Sequence, residues 1–212
     1  MKFFFIIKII IIKIIRLNIS FLKREISGYP NFVKKFENDF ASFIRKKYGI
    51  SFCNGTSSIE AAIFSLNFSK DDEILITSSN FHASIGPIKN LNCKPVFVDI
   101  DSKTLTVDCD DLKKKINHKS KCLLIVHPWG YPCNMEEVCK IVKVNNLKLI
   151  EDCSHAHGAT YDNKKIGSFS DISCFSLQGA KSVKAGEGGI ALTNNKKLFL
   201  RMSAYGHFNR HE

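Results

Sequence analysis

The chain of 212 residues carries eight cysteines but no Cys-x-x-Cys pair. Cys53, Cys93, Cys109, Cys122, Cys133, Cys139, Cys153 and Cys174 are scattered, several of them inside apolar runs. That spacing excludes a zinc ribbon or a dithiol redox site and points to buried thiols in a reducing cytosol. Neither Gly-x-Gly-x-x-Gly nor a P-loop is present, so those two phosphate-binding fingerprints are excluded. His155-x-His157 has no matching ligand cluster, and no metal is expected. The chain also lacks an internal repeat and an inner linker. No apolar run reaches the ~20 uninterrupted residues that a membrane-spanning helix needs.

The nearest approach to such a run is MKFFFIIKIIIIKIIRLNISFL at the N-terminus. Lys8, Lys13 and Arg16 interrupt it, and no small-x-small cleavage site follows. Residues 1–27 read as a basic, apolar arm that packs as a helix on the body or on a partner subunit. Contact with a membrane surface, disorder and a misassigned start are the competing readings.

The net charge is +11, unevenly placed. Residues 1–50 hold 11 Lys and Arg against three acids, and the rest of the chain holds 20 against 17. The larger part is therefore nearly balanced. It shows no basic stripe interleaved with aromatics, and no nucleic-acid partner is expected. Its small excess of positive charge favours anionic substrates. With 44% hydrophobic residues, the length suffices for one sizeable core.

Val33, Phe36, Phe40 and Phe43 recur at helical spacing, so residues 31–47 read as an amphipathic helix. Ile59, Ala62, Ile63 and Leu66 mark a second. Short apolar runs at 73–77, 95–100, 122–127 and 147–152 then alternate with helical patterns at 83–91, 110–117 and 135–145. Two more strands follow at 172–177 and 189–194, joined by a Gly-rich loop. This order predicts a three-layer α/β domain with a mostly parallel sheet buried on both faces. Ligands of such sheets sit beyond the carboxyl ends of the strands. Ser78–Phe81, His127–Gly130, Asp152–His155 and Ser176–Lys181 all follow strands, so they should converge on one rim.

The residues at that rim suit one cofactor. A strand ends in Asp152, the next ends near Ser176, and Lys181 follows in FSLQGAKSVKAGEGG. Pyridoxal phosphate needs an amine to hold its aldehyde, a carboxylate for its ring nitrogen and donors for its phosphate. Lys181, Asp152 and Ser176 offer these in turn. Plainer readings exist for each: a solvated Lys, a turn-capping Asp, a surface Ser. Lys184 is placed on the surface, and Glu151 should point to the strand face opposite Asp152. Ser57 and Glu60 fit a capping box for the second helix. The same helix start offers free N–H groups and a dipole to a phosphate.

Four segments together resemble the DegT/DnrJ group of sugar aminotransferases, which are fold-type-I pyridoxal-phosphate enzymes. They are NGTSS at 54–58, NFHAS at 80–84, EDCSHAHGA at 151–159, and FSLQGAK through AGEGG at 175–189. The resemblance runs from about Gly28 to the C-terminus. It implies that residues 28–212 are the large cofactor-binding domain, without the smaller C-terminal domain into which the family's longer chains continue. It implies a Schiff base between pyridoxal 5'-phosphate and Lys181, with Asp152 on the pyridinium nitrogen. Gly55, Thr56 and Ser57 would hold the phosphate, Ser176 would add a hydroxyl, and Phe81 would stack on the ring. His82 is the alternative stacking ring. His155 stands where many members have Gln, and either bonds the ring hydroxyl or packs beside the ring. His157 is as readily structural as functional. Trp129, Tyr131 and Gly28–Pro30 fall on the substrate side. Gly186, Gly188 and Gly189 suit a tight turn, and Glu187 has no assigned role.

The implied reaction moves an amino group from glutamate or glutamine to a keto-sugar, a nucleotide-linked keto-sugar or a keto-inositol. A cytoplasmic homodimer, once completed, is the implied setting. A related branch performs dehydration with His in place of the Schiff-base Lys, and Lys181 argues against that branch. The alternative expectation is a truncated, non-catalytic remnant, or one half of a split enzyme, that binds the cofactor without turnover.

Overall fold

The computed structural model describes residues 31–206, and the expected N-terminal arm and Gly28–Pro30 lie outside them. Helix α1 (Asn31–Ile44) buries Phe40, Ala41 and Ile44. The sequence pattern predicts this helix to 47, but Arg45 at φ 64 turns the chain, and Tyr48–Phe52 forms strand β1 instead. The Glu37 carboxylate on α1 accepts from Ser51 N at 2.6 Å and Ser51 Oγ at 2.7 Å, which ties the strand to the helix.

The following elements are helix α2 (Gly55–Leu66), strand β2 (Glu73–Thr77), helix α3 (Ile85–Asn90) and strand β3 (Lys94–Val98). Helix α4 (Cys109–Lys115), strand β4 (Ser120–Val126), helix α5 (Met135–Val144) and strand β5 (Lys148–Asp152) continue the alternation. A short hairpin of β6 (Thr160–Tyr161) and β7 (Lys164–Lys165) precedes β8 (Ile172–Ser176), β9 (Gly189–Thr193) and helix α6 (Lys196–Gly206). Of these, β1, the hairpin and α6 have no counterpart in the sequence pattern. The helix expected at 83–91 divides into a 3-10 turn, His82–Ser84, and α3.

Seven strands form one sheet in the order β1-β9-β8-β5-β4-β2-β3. From β8 to β3 all neighbours are parallel, whereas β9 is antiparallel to both β8 and β1. Only β9 therefore runs against the rest, and six strands end on the same rim.

Side chains alternate between the two sheet faces, and the two cores separate accordingly. Leu75, Leu123, Ile125, Leu149, Phe175 and Leu192 pack under α1, α4 and α5. Ile74, Ile76, Leu124, Ile150, Ile172, Cys174 and Ala191 pack under α2, α3 and α6. Helix α2 meets the sheet through Ile59, Ala61, Ala62 and Ile63, all within 2% of full burial. Strand parity then decides which polar residues reach the site. Asp152 shares the face of Ile150, and Ser176 that of Cys174, so both point toward α2. Glu151 shares the face of Leu149 and points away, as alternation along the strand requires. All eight cysteines are free, five of them buried.

Candidate active site

The site begins where β1 hands over to α2. Asn54, in extended conformation, caps the helix: its side chain accepts from Ser57 N at 2.8 Å. The expected Ser57–Glu60 capping box is thus corrected. The helix starts two residues before Ser57, and Glu60 bonds Tyr205 and Asn90 instead. The helix start abuts the sheet closely. A Cβ on Gly55 would lie 2.9 Å from Ser176 Cβ, and one on Gly189 would lie 2.2 Å from Asn54 O. Glycine at both positions lets the Ser176 hydroxyl stand beside the unpaired N–H groups of the first helical turn. Gly189 therefore serves close approach rather than a turn. Of the three loop glycines only Gly186, at φ +83, adopts a left-handed turn conformation.

Asp152 lies at the floor of the rim, 5% exposed. Its Oδ2 accepts from Ser84 Oγ at 2.9 Å and its Oδ1 from Ser154 N at 3.0 Å. A carboxylate has about four acceptor sites, so two bonds leave it capacity toward the open side. Lys181 stands in the loop between β8 and β9. That loop is closed at its base by Leu177 N to Gly188 O and Ala185 N to Leu177 O, both 2.8 Å. Within it, Lys181 N donates to Gln178 O at 2.8 Å, and Ala180 N to the Gln178 side chain at 2.9 Å.

These pieces line a cleft of about 700 Å³. Gly55, Thr56, Phe81, Asp152, His155, Ser176 and Lys181 all face it. Ser57 does not: its N–H is held by Asn54, and its hydroxyl lies 3.3 Å from Cys53 Sγ. Phe81 is 66% exposed at the cleft wall, with its alternative His82 tilted against it at 4.2 Å between ring centroids. Trp129 also lines the cleft, whereas Tyr131 lines a separate groove with Asn134 and Tyr161. Lys184 is exposed and outside the cleft. The His155 imidazole is pulled below its usual range, first by burial and then by the Lys181 charge, against the pull of Asp152. His157 packs between Phe40 and Phe175, with ring centroids 6.4 and 5.4 Å away, and belongs to the core edge.

Asn54, Ser84 and Gly189 are the site residues that sequence reasoning left without these tasks. Asn before a helical pattern is a capping signal that was available in NGTSS. Nothing in the sequence links Ser84 to Asp152.

On the other face, Glu151 is sealed. Its carboxylate accepts from Gly167 N (2.8 Å), Phe169 N (3.1 Å) and Ser170 N (2.9 Å). His127 Nε2 stands 3.3 Å from Glu151 Oε1, both side chains fully buried. Cys133 N donates to His127 Nδ1 at 3.1 Å, which puts the ring proton on Nε2, facing the carboxylate. Cys153 joins these two in a cluster within 4.8 Å, but both Glu151 oxygens are already occupied by main-chain donors.

Comparison with known proteins agrees with this architecture. GDP-perosamine synthase of Escherichia coli O157:H7 is 39% identical over 176 residues, covering 83% of this chain and 48% of that protein. L-glutamine:2-deoxy-scyllo-inosose aminotransferase of Streptoalloteichus tenebrarius is 33% identical, covering 82% of this chain and 41% of that protein. A solved GDP-4-keto-6-deoxymannose-3-dehydratase with a trapped PLP-glutamate geminal diamine superposes with a TM-score of 0.81 at 28% identity. That match covers 86% of this chain and 49% of the dehydratase. The chain thus spans half or less of the length of these relatives. The model of the DegT/DnrJ/EryC1/StrS aminotransferase family matches residues 20–211, and the chain belongs to that family.

Proposed function

We infer that the protein is a pyridoxal-phosphate-dependent aminotransferase acting on a keto-sugar, a nucleotide-linked keto-sugar or a keto-inositol, with glutamate or glutamine as donor. The single observation that carries this reading is one cleft holding a buried carboxylate (Asp152), an amine (Lys181) and a helix N-terminus flanked by hydroxyls. The residues fit the cofactor. The glycine contacts at 55 and 189 bring Thr56, Ser176 and the helix N–H groups together as donors for a dianion. Asn80, on the same cleft, has an amide whose nitrogen and oxygen are both buried without a partner.

Bound pyridoxal 5'-phosphate supplies an electron-withdrawing ring through which an amino group passes between substrates. Lys181 would hold its aldehyde and move a proton between carbon atoms. Asp152, braced by Ser84 and Ser154, would keep the ring nitrogen protonated. Phe81 would cover one ring face and exclude water there. His155, on the same cleft as Lys181, would bond the ring hydroxyl or pack beside the ring. Residues 28–212 form the cofactor-binding domain in this reading, and the cytoplasmic homodimer remains part of the proposal.

Borohydride reduction of the cofactor-treated protein, followed by peptide mass spectrometry, tests it. A pyridoxyl mark on Lys181 is expected. A mark on Lys184, or none at saturating cofactor, would refute the assignment. Turnover with glutamate and a panel of keto-sugars and keto-inositols is the second expected result.

A further inference from the structure

Trp129 is the only tryptophan of the chain, and it is 74% exposed. Its backbone is left-handed, at φ 50 and ψ 20. Bulky residues avoid that region because Cβ crowds the following carbonyl. Strain of this kind persists only where the surroundings over-determine it, and it collects at ligand sites.

The surroundings here do over-determine it. Pro128 precedes it with a fixed φ. Tyr131 N donates to Pro128 O at 2.8 Å, and Gly130 N to His127 O at 3.3 Å. His127 is itself fully buried, accepts from Cys133 N, and faces Glu151. On the far side Gly130, at φ +87, lies so close to His155 that a Cβ would stand 3.1 Å from its carbonyl oxygen. The main chain of the turn is clamped from both ends. The indole is not: among the described residues no ring and no cation stacks on it. It nevertheless lines the cleft that holds Lys181, Asp152 and Phe81. A rigid mount carrying a bare aromatic face on the wall of that cleft is the form of a ligand platform.

We propose that Trp129 is a stacking platform for the C–H face of the pyranose ring of a nucleotide-linked keto-sugar, and so sets specificity in the sugar half of the reaction only. The proposal rests on the aminotransferase reading of the cleft. A pyranose presents a face of C–H groups that complements the negative face of an indole, and the contact adds dispersion over a wide area. Glutamate has no ring to offer. Phe81, the other exposed aromatic on the cleft, is taken by the cofactor ring in that reading. Trp129 is then the aromatic left for the second substrate.

Being the sole tryptophan, Trp129 reports on itself by emission. Cofactor-loaded protein would be titrated with GDP-, dTDP- and UDP-linked amino sugars, with each free nucleoside diphosphate, and with glutamate. One linked sugar should change the emission saturably, while its free diphosphate and glutamate need concentrations at least about tenfold higher. Trp129→Ala should weaken binding of that sugar about tenfold, read by calorimetry, with Trp129→Phe restoring most of it. The spectral change of the bound cofactor on adding glutamate should stay within about twofold in Trp129→Ala, since no sugar takes part.

Several results would overturn the platform. A free diphosphate that matches its sugar conjugate would place the base on the indole. Trp129→Ala could leave sugar binding intact, or lose the glutamate response as well, which would reduce Trp129 to a turn residue. A blue shift that grows with protein concentration alone would mean that a second copy covers the indole. Failure of the aminotransferase reading looks different: the unsubstituted protein gives no glutamate response, while the emission titrations still decide whether a sugar ring sits on Trp129.

Discussion

Glu151 and Asp152 are neighbours on one strand, identical in charge, and sit on opposite faces of the sheet. Glu151 is fully buried, with three main-chain donors and the His127 imidazole around it. Asp152 is nearly as buried, yet has one hydroxyl and one N–H and opens on the cleft. The first carboxylate is complete within the protein, and the second is incomplete without a ligand. A buried acid that is fully partnered holds structure together. One with spare acceptor capacity beside a cavity is set up for chemistry. The pair also works in series: Glu151 pins the 167–170 turn that leads into β8, and β8 carries Ser176 toward Lys181.

Substitutions should separate these two acids. The largest effect is expected at the open one. Asp152→Asn should keep the fold and the attachment at Lys181 but slow the reaction with glutamate by about 10²–10⁴-fold, followed by rapid-mixing absorbance. A rate within twofold of the unsubstituted protein would remove Asp152 from catalysis. The sealed acid should show the reverse pattern. Glu151→Ala removes the acceptor of three main-chain N–H groups and the carboxylate facing His127 Nε2, so denaturant melts should show a loss of about 3–5 kcal/mol. A loss below ~1 kcal/mol would mean that water or a shift of the 167–170 turn replaces the carboxylate.

Acid titration sharpens the contrast further. Burial alone raises the Glu151 carboxyl, but His127, Ser170 and Gly167 together outweigh it and hold it below the usual range. A folded-state value depressed in this way stabilises the protein fully above the unfolded carboxyl pKa. That stabilisation is lost as pH falls through the folded value. The melts of the unsubstituted protein should therefore fall toward acid, and Glu151→Gln should flatten that limb. An unchanged acid limb would show that Glu151 does not control it. The smallest effect is expected for Ser84→Ala, which removes one of the two bonds to Asp152. A rate loss of no more than about tenfold is anticipated, with stability within ~1 kcal/mol. A loss as large as that of Asp152→Asn would show that Ser84 acts directly on a ligand.

The α/β alternation was legible because each buried strand is a short Ile/Leu/Val run and each helix repeats its apolar residues at 3.6. The strand bounds read from those runs, such as 73–77, match within one or two residues. Strand β1 was not legible, because YGISF follows a helical pattern directly and only Arg45 in the left-handed region separates them. The reversal of β9 was equally hidden. Its sequence, GIALT, reads the same in either direction of pairing.

By itself the sequence determined the family motifs, the order of elements and the parity that sends Asp152 and Glu151 to opposite faces. These follow from local periodicity and from alternation along a strand, which need no partner to be known. Only the tertiary structure decided the rest. Ser84 braces Asp152 across 68 residues of chain. Gly189 admits the backbone of Asn54, Ser57 turns from the cleft, and Trp129 rather than Tyr131 enters it. Each is a contact between segments remote in sequence. Such contacts are fixed by how α2, β8 and the post-strand turns pack around one rim, and no local pattern encodes that.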